Sequence, residues 1–141
     1  MSGQNHAFIR TFGGFDVFID NIPVKFSSAK SKEFLALLVD KRGANLQLGE
    51  AAALLWPEKN AEQGKLLYRD AVWRLRLTLK EYHLAELVTF SRAQAAVNMN
   101  CAKCDYWSYA DGLDRNGYAG SYMPNYDWSI DTQNMLDRTA R

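Results

Sequence analysis

The segment YRDAVWRLRLTL, residues 68–79, places two kinds of side chain at helical spacing. At about 100° per residue, one face of such a helix is apolar and holds Tyr68, Ala71, Val72, Leu75 and Leu79. Another face is basic and aromatic and holds Arg69, Trp73, Arg76 and Lys80, with Arg74 on its flank. The pattern predicts a helix that docks on its own domain through the apolar face and presents cations to a negatively charged partner.

The residues before this helix predict a small sheet and two shorter helices. Residues 8–26 read as short strands separated by turns, which is typical of an antiparallel meander. A first helix is predicted to begin near Lys30 after a serine cap and to end at Gly43. A second helix, LGEAAALLWP, follows a brief extended link and is expected to end at Pro57.

The long helix is predicted to run from about residue 62 or 65 to His83, and a hairpin is predicted after it. The hairpin strands are expected at about residues 87–91 and 95–99. This order predicts an α+β fold, a winged helix-turn-helix with an N-terminal antiparallel sheet, a three-helix core and a C-terminal wing hairpin. The side chains expected in the core are Phe34, Leu37, Leu38, Leu54, Val72, Leu75 and Leu79.

Beyond Asn100 the composition changes, and a short helical extension is predicted. One helix is expected to begin at a capping Asp105, and another is expected to begin at a capping Asp127 and to continue to Arg141. A segment rich in glycine, proline and tyrosine separates them. The expected domains are a winged-helix domain over residues 1–100 and a helical extension over residues 101–141.

Composition narrows the classes of protein that the sequence can encode. The chain has 141 residues, of which 48% are hydrophobic, enough for a folded core. It has no apolar run of about 18 residues and no signal-peptide pattern, so we expect a cytoplasmic protein without a membrane partner. The first 100 residues carry 13 Lys and Arg against 10 Asp and Glu, so the basic excess lies in the part that holds the long helix.

These elements resemble the OmpR/PhoB-type winged-helix DNA-binding domain, in the form found in bacterial SARP-type transcription activators and related response regulators. The resemblance rests on KEFLALLV, on the LWP that ends the second helix, and on VWRLRLTL with its V-x-R-L-R-x-x-L pattern. YAGSYMPNYDW, residues 118–128, resembles the opening of the helical bacterial transcriptional activator domain that follows in those proteins. The resemblance extends over about residues 8–130.

The resemblance implies sequence-specific binding of double-stranded DNA, as the effector domain of a regulator in two-component signalling or of a SARP-like activator. The long helix would enter the major groove, and the hairpin would lie over the adjacent minor groove. The residues implied for DNA contact are Lys65, Arg69, Asp70, Trp73, Arg74, Arg76 and Arg92.

The implied roles differ along the helix. Arg74 matches the base-contacting arginine of the family, and Arg69 and Asp70 lie near base edges. Trp73 and Arg76 would lie near the phosphate backbone, where the family often has a basic residue in place of Trp73. An indole N–H can still donate a hydrogen bond to a phosphate.

The resemblance also implies protein contacts. The loop between the second and third helices resembles the one that touches RNA polymerase, and its residues are Glu58, Lys59, Asn60 and Glu62. Two copies of the chain could pair on DNA.

Two other functions compete with DNA binding. A winged-helix domain can serve as a protein–protein interaction module without DNA binding. An enzyme is disfavoured because the sequence shows no catalytic constellation, and no cofactor or metal is expected. Cys101 and Cys104 form a Cys-x-x-Cys spacing, but the two histidines have no metal-site spacing to it, so two reduced thiols are expected.

Overall fold

The computed structural model describes residues 7–140. The expectation about a signal peptide concerns residues that lie partly outside this range, and the predicted helix end at Arg141 lies outside it. The described residues form an α+β fold with five α-helices and seven short strands. These are β1 Ala7–Arg10, β2 Asp16–Ile19, β3 Ile22–Pro23, α1 Ala29–Asp40, β4 Leu46–Gln47, α2 Leu48–Leu55, α3 Ala61–Glu81, β5 Val88–Ser91, β6 Gln94–Val97, β7 Ala102–Cys104, α4 Asp105–Ala110 and α5 Ile130–Thr139. No helix within residues 7–140 combines the length and the apolar character needed to cross a bilayer.

The chain divides into two compact units. The first joins residues up to Val24 to those from Ala102 onward, and the second is Lys25–Cys101. This division differs from the expected boundary between residues 100 and 101, because the N-terminal strands associate with the C-terminal part of the chain. The functional identity given to the two predicted domains remains a prediction.

The first unit is built on a four-stranded sheet with the order β3-β2-β1-β7. β1, β2 and β3 form the predicted antiparallel meander, with Ile9 opposite Val17 in the β1–β2 pair. β7 adds to the other edge of β1 in parallel, with Ile9 opposite Cys104. This parallel pair joins residues distant in sequence, so no local pattern predicted it.

Asp105 does not cap α4 as predicted. It is the first residue of the helix, and Cys104 occupies the capping position without a side-chain cap. The Asp105 carboxylate instead accepts hydrogen bonds from the backbone N–H groups of Thr11 and Phe12, at 2.9 and 3.1 Å, and from the Thr11 hydroxyl. Similarly, Asp127 begins a short 3₁₀ turn, and α5 begins at Ile130.

The second unit contains α1, α2 and α3 and a three-stranded sheet with the order β4-β6-β5. Ser28 caps α1, because its hydroxyl accepts a hydrogen bond from the N–H of Ser31 at 3.0 Å. The helix ends at Asp40, three residues before the predicted Gly43. That glycine lies in the left-handed region, with φ +89°, which favours glycine over other residues.

The hairpin predicted after the long helix is present as β5 and β6, with Arg92 and Ala93 at its turn. The link at Leu46–Gln47 is extended as predicted, and it also pairs with β6 as a third strand. The N–H of Leu48 donates to the carbonyl of Ala93 at 2.7 Å, so the start of α2 is held to the hairpin turn.

α2 and α3 pack closely as the two helices of a helix-turn-helix. Gly64 lies on the buried face of α3, where an added Cβ would lie 3.1 Å from the Cβ of Ala52. A side chain at this position would crowd α2, so glycine permits the close approach.

The core of this unit agrees with most of the predicted positions. The predicted residues that are buried are Phe34, Leu37, Leu38, Leu75 and Leu79. Leu54 and Val72 are only half-buried, so their assignment to the core was wrong. Leu55 faces inward instead of Leu54, and Val72 lies about 60° around α3 from Leu75, at the border of the buried face.

Candidate nucleic-acid interface

α3 begins with a reciprocal cap that fixes the residue at which the helix starts. The side chain of Asn60 accepts from the N–H of Gln63 at 2.9 Å, and the Gln63 side chain accepts from the N–H of Asn60 at 3.3 Å. Asn60, predicted to touch RNA polymerase, therefore has a structural role at the helix start. The Asn-x-x-Gln spacing is a sequence signature of this capping box and could have revealed that role.

A cationic stripe runs along the exposed side of α3, and it consists of Lys65, Arg69, Arg76 and Lys80. All four are solvent-exposed. On a helix with about 3.6 residues per turn they fall within an arc of about 60°. The structure thus brings three of the predicted DNA-binding residues together with Lys80, which the predicted set omitted.

Arg74 lies apart from this stripe. Its side chain is 42% exposed, and its Nε donates to a carboxylate oxygen of Asp70 at 2.9 Å. Arg74 is therefore ion-paired although it is partly exposed, and about 140° of the helix circumference separates it from Arg69. Asp70 and Arg74 act as one ion-paired unit, and such an exposed pair adds little stability.

Between the stripe and this ion pair lies an apolar strip of Leu66, Trp73 and Leu77. These side chains are 67%, 60% and 47% exposed, although leucine and tryptophan usually lose most of their exposure on folding. Sequence reasoning singled out Trp73 but missed Leu66 and Leu77. Their spacing from Trp73, seven residues before and four after, was a signal that they share its face.

The C-terminal half of α3 and the hairpin enclose a groove of about 510 Å³. Its lining residues are Trp73, Arg76, Leu77, Leu79, Lys80, Ala85, Val88 and Phe90. The Arg76 guanidinium lies 5.2 Å from the centre of the Phe90 ring, a cation–π distance that links helix and hairpin. Arg76 therefore packs against β5 while it remains exposed to solvent.

The hairpin turn and the loop before α3 are both solvent-accessible. Arg92 is exposed at the turn, where the prediction placed it. In the loop, Glu58 and Lys59 are exposed, and so is Glu62 in the first turn of α3. These positions leave the side chains accessible to the contacts that the family resemblance implies.

Neither cysteine has the lowered pKa that marks a reactive thiol. Cys101 and Cys104 are free thiols, as expected, and burial raises the pKa of both. Glu86 also raises the pKa of Cys101 through its negative charge. Within residues 7–140 there is no group of three or more His, Cys, Asp or Glu side chains that could hold a metal ion.

The sequence matches no protein-family model and no curated protein sequence. The structure is similar to EmbR of Mycobacterium tuberculosis, solved in complex with a low affinity phosphopeptide. The two share 15% sequence identity and superpose with a TM-score of 0.74 over 97% of this chain. The superposition covers 43% of the EmbR chain, so this chain spans less than half the length of that protein. At this identity the similarity establishes a winged-helix-like fold.

Proposed function

We propose that the chain binds double-stranded DNA sequence-specifically, as the effector domain of a bacterial transcription regulator of the winged helix-turn-helix type. The observation that carries the proposal is the cationic stripe on the exposed side of α3, the second helix of the helix-turn-helix. Lys and Arg side chains that neutralise phosphates displace bound counterions, which gives affinity that depends on salt. The fold shared with EmbR is consistent with this proposal.

In this proposal α3 lies in the major groove and the hairpin lies at the adjacent minor groove. Lys65, Arg69 and Arg76 bind phosphates on one side of the helix, and for Arg69 this role replaces the base-edge contact that the family resemblance implies. The Asp70–Arg74 pair lies on the other side, where Arg74 can donate two hydrogen bonds to a guanine. To do so, Arg74 either leaves Asp70 or stays paired with it while Asp70 also accepts a hydrogen bond from a neighbouring cytosine. Arg92 reaches the DNA from the hairpin turn.

The proposal extends to partners that the sequence resemblance implies. Glu58, Lys59, Asn60 and Glu62 would touch RNA polymerase, and two copies would pair on DNA. The setting would be the cytoplasm, and the proposed function involves no catalysis and no cofactor.

A binding titration tests the proposed function. We expect the chain to prefer a duplex selected from a random pool over a scrambled duplex, and the affinity to fall steeply from low to moderate salt. Lys65→Ala should weaken binding to both duplexes alike and reduce the slope of log affinity against log salt by about one unit. Lys103→Ala, which removes an exposed lysine of β7, is the matched control and should leave the slope unchanged. Equal binding to both duplexes, or no binding at low salt, would contradict the proposal.

A protein-interaction module is the second candidate function. The observation that favours it is the groove beside α3, where Trp73 and Leu77 expose apolar surface next to the cations Arg76 and Lys80. Such a surface suits an acidic peptide with an apolar anchor. If the titration detects no duplex binding, this candidate takes the place of the first.

A further inference from the structure

The buried side of α3 determines which of its residues can face a ligand. Tyr68, Leu75 and Leu79 lie on that side and pack into the second unit, so the helix cannot rotate about its axis. The exposed arc runs from Lys65 and Arg76 on one side to the Asp70–Arg74 pair on the other. A ligand that covers this arc therefore makes its closest contacts with the side chains at the middle of the arc.

The middle of the exposed arc is apolar. Leu66 and Trp73 are seven residues apart, which places them within about 20° of each other around the helix axis. They lie about 10 Å apart along that axis, at a rise of about 1.5 Å per residue. The cations that would bind phosphates lie on the flank of this pair and not at its centre.

The charge beside the strip favours DNA as its occupant. Lys65, Arg69, Arg76 and Lys80 all lie on one flank, which suits a chain of phosphates at the edge of a groove. A helix held in the major groove by such contacts turns the middle of its exposed arc toward the base edges. The apolar group that bases present there is the C5-methyl group of thymine.

We propose, on the basis of the proposed DNA binding, that Leu66 and Trp73 read thymine methyl groups at the floor of the major groove. The operator then carries two thymines about two or three base pairs apart, since base pairs rise by about 3.4 Å. This role differs from the phosphate contact that the family resemblance implies for Trp73. It makes Leu66 and Trp73 specificity-determining residues and leaves affinity mainly to the cationic stripe.

Replacement of thymine by deoxyuridine tests this assignment, because it removes the methyl group and keeps every hydrogen-bonding group of the base. A duplex is first selected from a random pool with the intact 141-residue chain. Each thymine of that duplex is then replaced singly, and the dissociation constant is measured. We expect deoxyuridine to weaken binding about fourfold at each of two positions, the effect of exposing one buried methyl group.

Alanine variants link each methyl group to its side chain. Leu66→Ala should abolish the deoxyuridine effect at one of the two positions, and Trp73→Ala should abolish it at the other. Both side chains are largely exposed, so both variants should fold, which circular dichroism can confirm. Leu113→Ala removes an exposed leucine outside α3 and is the control that should retain both effects.

The outcomes separate this inference from the proposed function. If binding is sequence-specific but no deoxyuridine substitution weakens it, the inference is overturned and the proposed function stands. The same holds if the selected site contains no thymine. No duplex binding at low salt overturns both. A dimer that depends on Trp73 in sedimentation, together with absent DNA binding, assigns the apolar strip to a protein contact.

Discussion

Leu75 and Leu77 lie two residues apart on α3 and have opposite environments. Leu75 is fully buried, whereas Leu77 is 47% exposed. Truncation of a core leucine removes its packing and leaves a cavity, so Leu75→Ala should lower the free energy of unfolding by about 2–5 kcal/mol. Leu77→Ala should change it by no more than about 0.5 kcal/mol. Urea denaturation of both variants checks the prediction, and similar losses would mean that the rotational setting of α3 is wrong.

Tyr68 lies on the buried face of α3, and its hydroxyl has no hydrogen-bond partner within residues 7–140. Its ring packs edge-on against Phe34, and burial raises the pKa of its phenol. Because an unsatisfied buried hydroxyl is costly, Tyr68→Phe should raise the free energy of unfolding by about 1 kcal/mol.

Tyr118→Phe provides the opposite case for the same chemical change. The Tyr118 hydroxyl donates to the Asp137 carboxylate at 2.5 Å, so its removal should lower stability by about 1 kcal/mol. Denaturation midpoints measured under one set of conditions compare the two variants. A loss of stability in Tyr68→Phe would show that its hydroxyl has a partner after all.

At the scale of elements, α4 is tied to the end of β1 by the Asp105 carboxylate. The N–H groups of Thr11 and Phe12 and the Thr11 hydroxyl all donate to it, and Thr11 is fully buried. Asp105→Ala would leave buried donors without an acceptor, so it should lower the free energy of unfolding by about 2–3 kcal/mol.

Asp131→Ala is the matched control for the Asp105 variant. Asp131 is an exposed aspartate in the first turn of α5, where a carboxylate interacts favourably with the helix dipole by only about 0.5 kcal/mol. Thermal or urea unfolding should therefore separate the two variants clearly. Equal, small losses would indicate that solvent satisfies Thr11 and Phe12 without Asp105.

At the scale of the whole molecule, the two ends of the chain belong to one unit. A shortened chain of residues 1–101 lacks β7 and Asp105, so β1 loses its parallel neighbour and its anchor. We expect the amides of β1 and β2 to lose protection from hydrogen exchange in this truncated chain. Amides of α1 and α3 should stay protected, because they belong to the second unit. Retained protection in β1 would support the simpler boundary at residue 100.

The sequence alone determined most of the local structure. The period of apolar residues in YRDAVWRLRLTL predicted α3 and its buried face, since a 3.6-residue repeat identifies a helix and its orientation. The meander at the N-terminus, the serine cap of α1 and the hairpin after α3 follow equally from local turn and capping chemistry. The basic face of α3 was also visible, because the spacing of Arg69, Arg76 and Lys80 needs no tertiary information.

Only the tertiary structure decided what depends on residues distant in sequence. The pairing of β7 with β1 and the bonds from Thr11 to Asp105 join the two ends of the chain, and no local pattern reports such contacts. Val72 is half-buried and Leu55 is buried because of the angle at which each helix is set about its own axis when the helices pack together. The same packing leaves Leu66 and Trp73 at the middle of the exposed arc, because the core holds the opposite side of α3.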